Sequence, residues 1–485
     1  MTVSDRMALT PGLLRRMLSV GAAQAIELGL QMLLPILLVR ILSPDDFGIY
    51  RLVWLVVMTV AISVPMGMVE SLFYFLPRTD APGRLAYVRQ TELYLVLASA
   101  GAIALLVVLR GELPPGVARA AELGPWLIAL TTFWVWGSLL DQLPTIEERI
   151  RWQTLASIVL SVVRAAVSLA VAWHWRDVKA LVIALAAVSA FKVLLLQMYL
   201  WKFHQSSEAS IEGARLKRQL RYAFPVGFNG LLFGLRRQVE QWIVAALFTP
   251  VQFAAFSIAG VLAPLLFIAR RSVSYVVLPS MSKSHAAGDV AAVLSVNHRV
   301  NVTLAMALFP IFAFAFAFAD VLISLVYTPA FVAAGDVMRV MIFGWALQVI
   351  DLQSLVLLLR ASGYAARVNT VLLLMSIPVS WAGAHLGGLP GAAAGGVVAL
   401  LLERSMLIRH LAGRVDLPAR RFQPWGELLQ FAGWAVGAAG LGWYGAVVMS
   451  SLRGILALLA GGLICGGVYA VAIAVSGKYR TPRDV

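Results

Sequence analysis

The chain has 485 residues, of which 60% are hydrophobic and only 13% charged, and its mean hydropathy is +0.84. That excludes a soluble globular protein, because apolar runs long enough to cross a bilayer recur along the whole length. The formal charge of +15 does not imply nucleic acid, since Lys and Arg of a membrane protein collect on its cytoplasmic side.

Hydropathy predicts an all-α polytopic membrane protein with about fourteen spans, at 16–41, 50–75, 88–109, 126–146, 152–174, 179–202, 219–247, 251–277, 297–318, 337–360, 366–388, 390–411, 425–449 and 454–476. Each has the roughly 20 to 27 residues that a tilted span requires. The first run is long, lacks a small-residue cleavage site and is followed by more spans, so no cleavable signal peptide is expected. The connections are short. The longest, 203–218 and 278–296, could not form a folded domain.

Charge sets the expected orientation. With the N-terminus inside, the cytoplasmic segments hold 25 Lys and Arg and the external segments 7, of 39 in all. Both termini are therefore expected in the cytoplasm, with an even number of spans. The remaining seven, Arg164, Lys192, Arg236, Arg237, Arg270, Arg271 and Arg339, fall inside the spans. Charge in hydrocarbon is expensive and marks a water-filled cavity or a partner. Its positive sign suits a cavity for an anion.

Arg164, Lys192, Arg236 and Arg237 lie near mid-span, at 1.5 Å of rise per residue. Arg270 and Arg271 come late in their span, where snorkelling to the inner headgroups and contact with substrate are both open. Arg339, Glu70 and Glu403 are near span ends and read as topological. Polar stripes at helical spacing accompany these cations: Gln24, Glu27 and Gln31; Ser63, Gly67, Glu70 and Tyr74; Ser157, Ser161, Arg164 and Ser168; Asn229, Arg236 and Glu240; Gln348 and Asp351. Such stripes either line a cavity or join helices by hydrogen bonds.

Two segments resemble each other. LLRRMLSVGAAQAIELGLQMLLPILLVRILSPDDFGIYRL near the start is answered by LKRQLRYAFPVGFNGLLFGLRRQVEQWIVAALFTPVQFAAFSI. Each has a basic lead-in, one long span and a tight turn. The turns Ser43-Pro44-Asp45-Asp46-Phe47 and Thr249-Pro250-Val251-Gln252-Phe253 stand 206 residues apart. Ser or Thr caps the next helix, Pro fits its first position, and the two Asp suit its dipole. Six spans precede the second copy, so both copies are expected to start on the cytoplasmic side. The expected architecture is two six-helix lobes, 1–203 and 219–412, related by a pseudo-two-fold along the membrane normal. A cytoplasmic linker, 204–218, joins them, and 413–485 adds a helix pair and a tail. Transporters built this way bind substrate between their halves.

The basic first helix, the [S/T]-P-x-x-F-x-x-[Y/F] turn and its return at the seventh helix resemble the lipid-linked oligosaccharide flippases. These are the polysaccharide transporter family of the multidrug/oligosaccharidyl-lipid/polysaccharide exporter superfamily. The resemblance spans essentially the whole chain, including the extra final helix pair. It implies a bacterial inner-membrane transporter, not an enzyme, that moves an undecaprenyl-diphosphate-linked sugar repeat unit outward by alternating access. It also implies a cavity lined by helices 1, 2, 7 and 8, and work alongside a polysaccharide polymerase and chain-length machinery for O-antigen, capsule or exopolysaccharide.

A diphosphate is a delocalised anion that the guanidinium fork binds bidentately. Arg236 and Arg237 are assigned to it, with Arg164 and Lys192 as further cavity cations. Glu240, one turn from Arg236 on a continuous helix, is placed to salt-bridge it. Trp134 and Trp345 offer flat surfaces for sugars. No cofactor or metal site is expected. Glu27 and Asp351 are the candidates to carry a coupling proton or sodium ion, or else each neutralises a neighbouring Arg.

Three rivals remain. A drug or cation exporter of the same superfamily should present carboxylates rather than cations in its cavity. A flippase of peptidoglycan lipid precursors shares the fold and an anionic cargo. A membrane-embedded polymerase or glycosyltransferase needs a large external loop with acidic or His residues, and none is present. No H-E-x-x-H or Walker A sequence supports zinc hydrolysis or ATP drive. Cys465 lies alone in an apolar run and reads as a packing residue. The GxxxG strings at Gly391–Gly395, Gly433–Gly437 and Gly462–Gly466 signal close helix approach. Asn301-Val302-Thr303 fits a glycosylation pattern but is expected on the inner side.

Overall fold

The computed structural model describes Glu27 and residues 29–204, 212–448 and 455–476, apart from the side chains of Val226, Asn229 and Tyr275. Gln24, the first part of the 16–41 span and the basic tail therefore lie outside the described residues, as does the side chain of Asn229. Among the described residues there is no strand. The helices are α1 (Gly29–Leu38), α2 (Pro44–Ser63), α3 (Met68–Phe75), α4 (Ala81–Val108), α5 (Pro115–Ala121), α6 (Pro125–Gly137), α7 (Leu139–Ile146), α8 (Ile150–Trp175), α9 (Val178–Phe203) and α10 (Gly213–Arg236). They continue as α11 (Val239–Leu247), α12 (Pro250–Ala259), α13 (Ala263–Ala286), α14 (Val290–Ala317), α15 (Ala319–Val326), α16 (Ala334–Gln348), α17 (Gln353–Leu358), α18 (Ser362–Arg414), α19 (Trp425–Val448) and α20 (Ile455–Ser476).

Nine helices among the described residues are long and apolar enough to cross a membrane, or ten if the pair bent by 83° at 115–146 is one span. The difference from fourteen has physical causes. The first span is only partly described. α10 carries Arg215, Lys217, Arg218 and Arg221 in its first turns and is too charged to qualify by itself. The 337–360 segment is interrupted after Gln348. α18 is one 53-residue stretch only in name: Gly387 and Gly388 leave the helical region, the latter at φ +62°. Its halves fold back on each other, because a Cβ at Gly383 or Gly391 would overlap the other's carbonyl. That is the hairpin expected from 366–388 and 390–411.

Helix starts follow the capping rules. Ser43 Oγ accepts from Asp46 N at 3.1 Å, with Pro44 in the first turn. Thr249 and Gln252 form a reciprocal capping box, with Gln252 N donating to Thr249 Oγ1 (3.3 Å) and Thr249 N to Gln252 Oε1 (3.0 Å). The two turns singled out as a repeat thus do the same local job.

The chain forms two compact units. The first holds the described residues up to Gln238 together with Ala245–Ala254. The second holds Val239–Val244 and everything from Ala255 onward. The first has a core of Val60, Leu72, Leu95, Leu139, Leu196 and Tyr199, drawn from α2, α3, α4, α7 and α9. Within it, α2 meets the second repeat's turn so closely that a Cβ at Gly48 would overlap the Pro250 backbone. In the second unit, α14, α19 and α20 pack through Phe431, Ala435, Cys465 and Tyr469. Cys465 is buried there as a packing residue. The close approach of α19 and α20 uses Gly442, whose added Cβ would stand 2.6 Å from Gly461 O. Gly433, Gly437 and Gly466 face open space. Of the three GxxxG strings, Gly391–Gly395 is the one spent on close packing.

Candidate functional site

The polar stripes of α1 and α8 converge inside the first unit. Glu27, Gln31, Ser157, Ser161 and Arg164 line one cavity of about 110 Å³, together with Trp134, Asp141, Ser189 and Lys192. That is room for roughly three waters. Glu27, Arg164 and Lys192, nominated separately from sequence, are therefore brought together. Gln31 Nε2 donates to Glu27 Oε1 at 3.3 Å. Lys192 Nζ lies 2.6 Å from Asp141 Oδ2. The Lys192 stem runs over Gly137, where an added Cβ would approach its Cδ to 3.1 Å.

Trp134 sits between the cations. The Arg164 guanidinium and Lys192 ammonium each lie 5.6 Å from its ring centroid, within cation–π range. Trp54 contacts Trp134 edge-on at 4.8 Å. Both cations thus gather at the half-buried Trp134 ring, which lines the cavity. Trp345 is buried against Phe312 at 6.2 Å, which removes it as an open stacking face.

Arg236 and Arg237 stand at an interruption. α10 ends at Arg236, Arg237 is its C-cap, and α11 starts at Val239. The continuous helix expected over 219–247 is broken at its two central arginines. The Arg237 guanidinium lies 5.9 Å from the Phe233 ring centroid. Next to the break, Thr59 Oγ1 of α2 donates to Gln238 Oε1 at 2.5 Å. Broken backbone at membrane depth is tolerated where it is buried in protein or lines a water-filled cavity. Glu240 follows the break, in the first turn of α11. In the second unit the Glu240 carboxylate lies against Gly396 of α18, where a Cβ would overlap it.

The second unit holds Asp351 in a second interruption, between α16 and α17. Asp351 is 2% exposed. Arg270 Nη2 lies 3.2 Å from Oδ1, which also accepts from Gln353 N. Ser354 (2.7 Å) and Ser274 (3.3 Å) donate to Oδ2. Its backbone is held as well: Asp351 N donates to Asn301 Oδ1 and Asn297 Nδ2 donates to Asp351 O, both at 2.8 Å. Of the two roles open to Asp351, this geometry serves charge pairing. Arg270 is 16% exposed at its side chain, turned inward rather than snorkelling. Arg271 is exposed. Arg339 pairs with Asp320 and Asp336, each at 2.7 Å, as befits a span-end residue.

Two acidic residues escaped sequence reasoning. Asp141, in the first turn of α7, neutralises Lys192. Glu92 is buried and accepts from Trp136 Nε1 (2.9 Å), Gln197 Nε2 (2.5 Å) and Arg89 Nη1 (2.8 Å). The available signal was Arg89 and Glu92 at i,i+3, with Gln197 on a neighbouring span.

The helical architecture of the described residues is similar in fold to solved flippase and exporter structures. The structure of the lipid II flippase MurJ in an inward closed conformation is similar at a TM-score of 0.75 and 13% identity, covering 94% of this chain and 98% of that one. An inward-facing multidrug resistance MATE transporter of the MOP superfamily follows at 0.58 and 12%, covering 82% and 99%. The eukaryotic MATE transporter AtDTX14 gives 0.57 and 14%, covering 87% and 100%. At these identities the likeness is one of fold. No curated protein sequence matches the chain. The profile of the polysaccharide biosynthesis protein family matches residues 37–335, more than half of the chain, and the chain belongs to that family.

Proposed function

We propose that the protein is a flippase that carries undecaprenyl-diphosphate-linked oligosaccharide repeat units across the bacterial inner membrane by alternating access, with both termini in the cytoplasm. The observation that carries this reading is the interruption of the seventh predicted span at Arg236–Arg237. Two adjacent guanidinium groups at a helix break suit a diphosphate, which takes several charge-assisted hydrogen bonds at once. Membership of the polysaccharide biosynthesis family supports a glycan cargo, and the transporter fold supports movement rather than synthesis.

Arg164 and Lys192, held around Trp134, are secondary cations of the path. Lys192 is already neutralised by Asp141, so Arg164 contributes more to the field. Glu27 takes the coupling role, with a proton or sodium ion as its partner, because it lines a polar cavity, whereas Asp351 is occupied by Arg270. The repeat unit then passes to a polymerase and chain-length machinery on the outer face.

The test uses cells that lack this protein, complemented with wild type or Arg236→Ala/Arg237→Ala. The expected result is diphosphate-linked repeat units accumulating on the inner leaflet, cleared by wild type alone, with both proteins equally abundant in the membrane. Lipid-linked units that reach the outer face but stay unpolymerised would instead place the protein among external-face enzymes.

A further inference from the structure

α10 opens the second repeat in sequence, yet it is seated inside the first unit, and the seat has two unusual parts. One is a glycine contact. α2 breaks after Ser63, and Met66 (φ +42°) and Gly67 (φ +76°) take left-handed conformations before α3 starts. Tyr94 Oη donates at 3.0 Å to Val64 O, beside the break. α10 presses against this break so closely that a Cβ at Gly67 would overlap Ala223 O, and one at Gly227 would overlap the Met66 carbonyl. Positive φ makes Gly67 a glycine by necessity.

The other part is polar. Gln219 is fully buried. Its Nε2 lies 2.8 Å from Ser71 Oγ, 2.9 Å from Thr91 Oγ1 and 3.4 Å from Met68 O. Its Oε1 accepts from Gln90 Nε2 at 2.5 Å. Next along the same face, Tyr222 stacks on Tyr74 at 4.5 Å. Among the described residues, none donates to the buried Gln90 Oε1. Amides and hydroxyls find equivalent partners in water, so such a contact separates at little net cost. Water entering as the contact opens would supply the Gln90 acceptor with a donor.

We propose that the Gln219 cluster is a releasable latch. It seats α10 on α3 and α4 at the end marked by Lys217, Arg218 and Arg221, and α10 must leave this seat once in every transport cycle. The proposal rests on the flippase reading. Gln219 acts as a positioning residue, because the helix it seats carries Arg236 and Arg237 at its other end.

The experiment uses the full chain with Cys465→Ala as background. In the first arm, Ser71→Cys/Gln219→Cys is oxidised in membranes and tested for movement of lipid-linked oligosaccharide in vesicles. A disulfide that stops movement, with recovery on reduction, is the expected result. A disulfide that forms while movement continues at the reduced rate overturns the latch. In the second arm, Ser71→Cys alone is alkylated by a small maleimide. Labelling is expected to be slow and to rise at least tenfold when Gln219→Ala is added. Equal labelling with either residue at 219 also overturns it, and this arm needs no transport. If labelling behaves as expected while even the parent protein moves no lipid, the flippase reading fails and the seat of α10 stands.

Discussion

Lys192 Nζ lies 2.6 Å from Asp141 Oδ2, and the same ammonium faces Trp134 across 5.6 Å. A cation first taken as free for an anion is thus balanced by a carboxylate two helices earlier. Asp141 is half exposed at its side chain, so the pair itself contributes only about 1 kcal/mol or less. Its importance lies in the cavity, where Lys192 is ion-paired while Arg164 has, among the described residues, the Trp134 ring and no ion pair.

That balance predicts an asymmetry. Asp141→Asn frees Lys192 to attract an anion and should leave thermal stability in detergent within about 1 kcal/mol of wild type. Lys192→Met leaves Asp141 facing the cavity beside Glu27 and should reduce export several-fold at unchanged protein level. Equal export loss from both changes would show that the pair acts only as a strut.

The Arg270–Asp351 pair should behave differently because it is buried. Asp351→Ala leaves Arg270, Ser274 and Ser354 without their carboxylate partner, and such a loss costs about 3–5 kcal/mol. Arg270→Ala should cost a similar amount, and the double variant less than the sum. Thermal unfolding of the purified variants measures this. Additive losses would mean that the two residues act independently.

Gly48 is constrained by Pro250. Gly48→Val should lower the folded yield and destabilise the protein by about 1–3 kcal/mol through overpacking, whereas Gly437→Val, in open space, should be near neutral. Size-exclusion profiles of the two variants provide the comparison.

Glu147 sets a pH dependence at one end of the first unit. Burial pushes its carboxyl up, but the His204 ring at 2.7 Å, the Tyr199 hydroxyl and Arg149 outweigh burial and hold it below the ordinary carboxylate value. A lowered carboxylate pKa adds stability above the unfolded-state value, and that stability is lost as pH falls through the folded one. Wild type should therefore lose thermal stability on acidification through the carboxylate range by more than Glu147→Gln does. Parallel curves would remove this contribution.

The sequence made the fold class legible because hydrocarbon leaves the backbone few options, so long apolar runs mean helices. The turns at Ser43 and Thr249 were readable for a similar reason, since capping chemistry is local. Convergence of Glu27 with Arg164 and Lys192 was half legible: the stripes gave the faces, and only packing could show that α1, α8 and α9 turn theirs to one cavity. The breaks were not legible at Arg237–Gln238 or at Asp351. Neither has a proline in the gap, and each is held by distant partners, Thr59 in one case and Asn297 with Asn301 in the other. The break at Gly67 did carry a local signal, in Pro65 followed by glycine. Asp141 was missed because its partner Lys192 lies on another span, and Glu92 because two of its three partners, Trp136 and Gln197, do.

The most direct test of the account is movement of the cargo by the purified protein. Wild type and Arg236→Ala/Arg237→Ala would be placed in vesicles holding an undecaprenyl-diphosphate-linked oligosaccharide, with outward-facing sugar measured by an added glycosidase. The account predicts that wild type exposes the inner pool while the double variant, equally folded by its thermal unfolding curve, exposes no more than empty vesicles. Equal exposure by both proteins would remove the arginine pair from the site, and no exposure by wild type would contradict the flippase reading itself.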